Sequence, residues 1–134
     1  MGLRRQAREL ALQALYLHDM CGFSKEAAFN AIGFELLPGP LSIFSKHLLS
    51  GVLDRQEEID TLIRRYTENW DIRRMAAIDR NILRISTFEI LTDLETPISV
   101  IIDEAIEISK NYSTEDSSKF VNGILDKIKG ERKI

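Results

Sequence analysis

Three arginines stand close together at the start of the chain, and no acidic residue accompanies them in residues 1–8. In a helix, Arg4, Arg5 and Arg8 would lie within about one and a half turns. Cations near a helix N-terminus oppose the helix dipole, so a purely structural helix favours acids there. Because guanidinium groups bind phosphate oxygens well, the cluster indicates phosphate recognition. A solvated face with no ligand is the alternative.

Aromatic and polar side chains accompany the basic residues at both ends of the chain. Tyr16 follows Arg8 by eight residues, about two helical turns, so it can share that face and offer a ring for stacking. Near the C-terminus stands Ser117-Ser118-Lys119-Phe120-Val121-Asn122-Gly123. On periodicity alone, Phe120 fits the core better than the surface. Gly123 inside a helix costs about 1 kcal/mol relative to alanine, which predicts a close helix contact there.

Patterns typical of catalysis or metal binding are absent from the sequence. The two histidines and the single cysteine do not have the spacing of a metal site, and no phosphate-binding glycine loop or nucleophile elbow occurs. Asp103, Glu104 and Glu107 could form a carboxylate metal site. A di-metal bundle also needs Glu-x-x-His pairs, so a solvated acidic helix face is the simpler interpretation. We therefore expect no enzymatic activity, no metal and no cofactor.

Charge is distributed unevenly along the chain. The net charge is −3, but residues 1–8 carry +3, and residues 119–134 carry five basic and two acidic side chains, also +3. The intervening 110 residues must then carry −9. This asymmetry indicates a polyanion site built from the two termini.

Cysteine usage and hydropathy indicate a cytoplasmic protein. One cysteine, Cys21, cannot form an intrachain disulfide, which fits a reducing compartment. No apolar run approaches the ~20 residues of a membrane span, and no signal peptide is evident.

Helices must position these groups, because apolar residues recur at helical spacing through most of the chain. The pattern predicts an all-α fold of about six helices. They cover about 3–17, 24–34, 42–66 with a possible break near residue 54, 76–94, 96–108, and a last helix directly after Asp116. Ser24, Thr96 and Asp116 are the predicted N-caps. We expect one domain over residues 1–134, with an N-terminal helical half of about 1–70 and a C-terminal half of about 71–134.

Several motifs, in one order, cover nearly the whole chain. They are Arg4-Arg5-x-Ala7-Arg8-Glu9-x-Ala11-x-Gln13-Ala14-Leu15-Tyr16, Phe44-x-x-x-Leu48-Leu49-x-Gly51, Asp79-Arg80-x-Ile82-Leu83-Arg84-Ile85-x-x-x-Glu89-Ile90-Leu91, Pro97-x-x-Val100-x-Ile102-Asp103-Glu104-Ala105-x-Glu107, and Ser117-x-Lys119-Phe120-Val121-Asn122-Gly123-x-Leu125-Asp126. Together they resemble the NusB family of transcription antitermination factors. The last motif is the most specific.

The resemblance implies two packed three-helix bundles and a role without catalysis or cofactor. It implies binding of the single-stranded boxA element of nascent ribosomal RNA, together with a small-subunit ribosomal protein, NusE, on transcribing RNA polymerase with other Nus factors. The implied RNA-binding residues are Arg4, Arg5 and Arg8 on phosphates, Gln13 and Tyr16 on bases, and Lys119 and Phe120 from the last helix. Gln13 and Asn122 are candidates for base-edge hydrogen bonds.

Two acidic residues have separate expected roles. Asp79 either faces the ribosomal partner or is an acid placed favourably at a helix N-terminus. Asp116 lies three and four residues before Lys119 and Phe120, so its carboxylate should repel phosphate from the RNA surface.

The chain departs from the family pattern at two positions, and two other functions stay open. Gln6 stands where a further arginine is common, which should weaken RNA affinity, and Asp103 stands where asparagine is frequent. A similar domain precedes an RNA cytosine methyltransferase, but the chain ends at Ile134, so we do not expect that context. The other function is a protein-interaction module whose arginines contact acidic protein. A homodimer would be able to hide the arginine face.

Overall fold

The computed structural model describes residues 2–68 and 70–132, and within these ranges it contains seven α-helices and no strand. The all-α expectation is therefore confirmed. None of the described helices is long and apolar enough to cross a membrane. The helices are α1 (Leu3–Cys21), α2 (Lys25–Ile32), α3 (Gly39–Asp54), α4 (Gln56–Tyr66), α5 (Ala77–Thr92), α6 (Ile98–Tyr112) and α7 (Glu115–Ile128), with single 3-10 turns at Phe34–Leu36, Ile72–Arg74 and Lys129–Glu131.

Local sequence signals set most helix boundaries as predicted. The side chain of Ser24 accepts a hydrogen bond from the Ala27 N–H at 3.0 Å and caps α2. Gly22, with φ of 74°, ends α1 in the left-handed conformation that glycine adopts easily. The predicted break near Asp54 separates α3 from α4. Pro40 lies in the first turn of α3, where its missing N–H has no helical partner to lose, so α3 begins earlier than predicted.

Two predicted N-caps are wrong. Pro97 is the N-cap residue of α6, while Thr96 donates from its backbone N–H and its hydroxyl to Asp93, at 3.2 and 2.6 Å. Thr114 caps α7, which places Asp116 inside the first turn. A turn rich in hydroxyls and carboxylates offers several possible caps, and backbone geometry selects among them.

The packing of the helices centres on α5. Every residue from Asp79 to Ile90 is buried, because five helices, α1, α3, α4, α6 and α7, pack against α5. Helices α1–α3 pack together as one group and α5–α7 as a second, which confirms the two three-helix bundles. By packing, α4 belongs with α5 and α7, although it precedes the division expected near residue 70.

Buried charged groups fix α1 and α4 against α5. Arg80 donates to Asp19 at 2.6 Å, and Arg84 donates to both carboxylate oxygens of Asp60 at 2.9 Å and to Asp19 at 3.1 Å. Burial raises the pKa of Asp19, but hydrogen bonds from Arg80 and Asn81 outweigh it and hold that pKa below its ordinary value. These pairs join the C-terminal end of α1 and the middle of α4 to one face of α5.

Two glycines inside helices have opposite surroundings. A Cβ atom at Gly51 would lie 2.1 Å from Cζ of Phe88, a buried ring. Gly123 is exposed, and a Cβ atom there would meet nothing within 4 Å. The prediction that Gly123 marks a close helix contact is therefore wrong. The close approach is at Gly51, between α3 and α5.

This contrast predicts opposite effects of the same substitution. Gly51→Ala should lower the free energy of unfolding by about 1–3 kcal/mol, because the new Cβ atom would force the buried Phe88 ring to shift. Gly123→Ala is the matched control, and it should raise the free energy by about 0.5–1 kcal/mol, because alanine has the higher helix propensity. Urea unfolding followed by circular dichroism measures both. Equal shifts for the two variants would contradict the packing at Gly51.

Candidate nucleic-acid interface

The three arginines predicted to hold phosphate do not share one surface. The side chain of Arg4 is 59% exposed and that of Arg5 30%, whereas Arg8 is only 4% exposed. Arg4 and Arg5 stand at the open N-terminal end of α1. Arg8 points towards α5, because one side of α1 is covered by that helix.

Arg8 forms a buried, two-pronged ion pair. Its Nε and Nη2 donate to the two carboxylate oxygens of Glu89, each at 2.9 Å. Glu89 itself is 2% exposed. Removing one partner of a buried pair leaves an uncompensated charge, at a cost of about 3–5 kcal/mol. Arg8 therefore ties α1 to α5, contrary to the prediction that it shares the solvated face and holds a phosphate.

The two accessible arginines already contact carboxylates of the same chain. Arg5 Nε donates to Glu104 of α6 at 2.5 Å, and Arg4 Nη1 lies 3.4 Å from Asp93. The hydrogen bond with Glu104 raises the pKa of Arg5, so this guanidinium keeps its charge. A phosphate that binds here must compete with these two carboxylates.

The seam between α1 and α6 carries the other predicted side chains of α1. Gln13 Nε2 donates to the hydroxyl of Tyr112 at 3.1 Å, and the rings of Tyr16 and Tyr112 are 38% and 36% exposed. They flank a groove of about 340 Å³ whose other walls are aliphatic, namely Leu12, Leu17, Ile32 and Ile78. The structure thus brings Gln13 and Tyr16 together in a groove with flat, apolar surfaces and an amide at the rim.

The predicted residues of α7 lie farther along the surface. Lys119 is exposed, and Phe120 is half-buried, with its ring edge towards Trp70 and the two ring centroids 6.4 Å apart. Helix α7 packs on α4, α5 and α6. An RNA strand that extends from α1 to these residues would therefore pass over α6. Asn122 is also exposed.

The two singled-out acids differ in accessibility. Asp79 is 8% exposed, lies in the first turn of α5 and accepts a hydrogen bond from the hydroxyl of Ser117 at 3.1 Å. Burial raises its pKa. It therefore joins α5 to α7, and little of it can meet a partner, so the first-turn interpretation fits it better. Asp116 is exposed on α7.

Sequence reasoning missed the partners of the arginines and one aromatic cluster. Glu104 looked like part of a solvated acidic face, yet it faces Arg5 across the α1–α6 seam. The signal was the complementary charge of the two helices. In the sequence, Phe44 is part of a family motif and His47 has no predicted role, whereas in the structure their rings are stacked. Among the described residues, no three histidine, cysteine or acidic side chains are grouped to hold a metal ion.

Comparison with known proteins agrees with this architecture. The family model of the NusB family matches residues 5–129. The transcription antitermination protein NusB of Elusimicrobium minutum is 43% identical, with 99% of this chain and 97% of that protein covered. NusB of T. maritima superposes with a TM-score of 0.89 and 40% identity, covering 96% and 92% of the two chains.

A further solved structure contains a similar chain. The crystal structure of the antitermination factors NusB and NusE in complex with double-stranded RNA matches with a TM-score of 0.88 and 26% identity, and the match covers 98% of both chains. A family match over most of the chain and 43% identity over nearly its full length leave one conclusion: this chain belongs to the NusB family.

Proposed function

We propose that this protein is an RNA-binding transcription antitermination factor. It binds the single-stranded boxA element of nascent ribosomal RNA together with the ribosomal protein NusE, and so modulates termination by RNA polymerase in the cytoplasm. The observation that carries the proposal is the pair of accessible arginines at the end of α1, of which Arg5 lies on the same α1–α6 seam as the tyrosine-lined groove. The relatives' names, and the solved relative with NusE and RNA, support it.

Binding would consist of the exchange of ion-pair and hydrogen-bond partners and of base stacking, and no covalent bond would be made or broken. RNA phosphates replace Asp93 and Glu104 on the guanidinium groups of Arg4 and Arg5. Unpaired bases then lie against the rings of Tyr16 and Tyr112, which line the groove, as in other proteins that bind single-stranded RNA. Gln13 exchanges its hydrogen bond with a tyrosine hydroxyl for one with a base edge.

A small basic patch on an acidic chain needs help to bind RNA tightly. The net charge is −3, and two arginines neutralise few phosphates. A ribosomal protein bound beside the groove would extend the positive surface, which explains why a partner belongs to the function. Lys119 and Phe120 continue the RNA surface onto α7 in this proposal.

The salt dependence of RNA binding tests the arginine pair. If three or four phosphates are contacted, log K should fall with log salt at a slope of about −2 to −3 for single-stranded RNA. The double variant Arg4→Ala/Arg5→Ala should make that slope shallower by about 1.4, at about 0.7 per phosphate. Fluorescence anisotropy with a labelled boxA RNA measures it.

An arginine elsewhere provides the control for this experiment. The side chain of Arg73 is 88% exposed and pairs only locally with Asp71, so Arg73→Ala should leave the slope unchanged. A double variant that keeps the slope of the original protein would place the RNA on another surface.

Releasing Arg5 from its carboxylate should strengthen RNA binding. Glu104→Gln keeps the size of the side chain and removes the charge that competes with phosphate, so we expect tighter binding at low salt. Screening reduces the benefit at high salt. Glu57→Gln, at an exposed position of α4, is the control. If Glu104→Gln binds no better than Glu57→Gln, phosphate does not compete for Arg5.

Asp116→Asn should also tighten RNA binding at low salt. The Asp116 carboxylate stands in the first turn of α7 before Lys119, where it would repel the RNA phosphates, and asparagine removes that charge. Thr114 supplies the helix cap, so stability should fall only by the few tenths of a kcal/mol that an acid gains near a helix N-terminus. Titration with boxA RNA at low and high salt, beside a thermal melt, measures both. Equal or weaker affinity at low salt would mean that Asp116 is remote from the RNA or favours it.

A further inference from the structure

A cleft beside Arg4 is not used by the contacts described so far. It opens between α1, α3 and α5 and has a volume of about 310 Å³, at the lower end of the range of small-molecule sites, roughly 300–1,000 Å³. Its walls include Arg4, Phe44, His47, Phe88, Thr92 and Asp93.

Four flat groups follow one another along this cleft. The guanidinium carbon of Arg4 lies 4.7 Å from the ring centre of Phe44. The rings of Phe44 and His47 are stacked, 6.2 Å apart and 23° from parallel, and the Phe88 ring lies 5.3 Å beyond His47. The absence of a side chain at Gly51 leaves the space that the Phe88 ring occupies, because a Cβ atom there would collide with the ring.

His47 is the member of this series that stands open to solvent. It is exposed, and across residues 2–68 and 70–132 its side chain makes no hydrogen bond or ion pair. Because His47 is exposed on α3, packing of the core does not explain a polar ring at this position. Such a ring, stacked on a phenylalanine, is the type of platform on which nucleic-acid bases lie.

The charges of the cleft decide which part of an RNA it accepts. Glu89 is saturated by Arg8, and Asp93 accepts from Thr96 and lies beside Arg4. Because these carboxylates already occupy the cations beside them, the described lining offers a phosphate no free cation in the interior, whereas it does not oppose an uncharged ring. Among the described residues that line the cleft, the cation is Arg4, which lies exposed at the rim.

We propose that this cleft binds one nucleobase of the single-stranded RNA, stacked on His47, with the adjoining phosphate on Arg4. The inference rests on the proposed function and extends its RNA surface from the α1–α6 seam onto α3. It makes Arg4 the point where the RNA passes from the tyrosine groove to the aromatic cleft.

Nuclear magnetic resonance of the two histidine rings tests the contact directly. Single-stranded boxA RNA should move the ring protons of His47 upfield, whereas inorganic tripolyphosphate, which has no bases, should not. His18 is the internal reference, because it lies fourteen residues along α1 from Arg4, about 21 Å away, and its Nδ1 contacts the Phe23 carbonyl at 2.8 Å. Its ring protons should stay unchanged with both ligands.

Substitutions of the exposed ring separate stacking from other contacts. His47→Ala should weaken boxA binding about 5- to 20-fold, within the range for loss of one stacked base, and should leave the salt slope unchanged. His47→Phe keeps a flat ring and should bind nearly as well as the original protein. Leu36→Ala, at an exposed apolar position in the 3-10 turn that follows α2, should have no effect.

The outcomes distinguish this inference from the function on which it rests. If His47→Ala binds RNA as tightly as the original protein, if His47→Phe is as weak as His47→Ala, or if RNA and tripolyphosphate shift the His47 protons alike, the base site is wrong. The loss of salt slope in the Arg4→Ala/Arg5→Ala variant would still uphold the proposed function. If the unsubstituted protein does not bind boxA RNA, both are wrong.

Discussion

The structure depends on one constraint, which is that α5 is buried on every side and yet carries charged residues. A charge inside a protein must be paired, because its desolvation otherwise costs several kcal/mol. Arg80 forms an ion pair with Asp19, and Arg84 with Asp19 and Asp60. Glu89 forms one with Arg8. The partners come from α1 and α4, so pairing the charges of α5 fixes where those helices lie. Because these pairs fix the position of α1, they also fix where its N-terminal arginines, which are proposed to bind RNA, reach the surface.

One short basic cluster therefore serves two purposes. Arg8 is used inside the protein, while its neighbours Arg4 and Arg5 remain within reach of a ligand. The carboxylates that face these neighbours keep the free protein compact and electrically balanced at this end. In the proposed function they would also make RNA binding an exchange of one anion for another, which would lower affinity and increase the contribution of base contacts to selectivity.

Sequence reasoning predicted the helices well and the surroundings of single residues less well. Periodicity identifies the apolar stripe of a helix, and the breaks at Gly22 and near Asp54 follow from local chemistry. It does not show how many helices cover a given helix. Arg8 was placed in solvent because one stripe of α1 seemed enough for the core, whereas α1 packs against both α3 and α5.

The same reason explains the errors and omissions at other positions. Gly123 and Gly51 look alike in sequence, and only the position of a ring from another helix separates them. The resemblance to a known family supplied the motif that contains Gly51 but not its physical cause. Whether Lys119 and Phe120 touch RNA depends on the path of the ligand, and this remains a prediction.

The partners of the basic cluster are far away along the chain. Arg8 and Glu89 are separated by 81 residues, Arg4 and Asp93 by 89, and Arg5 and Glu104 by 99. The arginines are synthesised first, but their partners emerge from the ribosome only with α5 and α6. Until then α1 is a basic amphipathic segment without its counter-charges. The surface that would hold RNA is consequently among the last parts of the molecule to acquire its final form, although its arginines are among the first residues made.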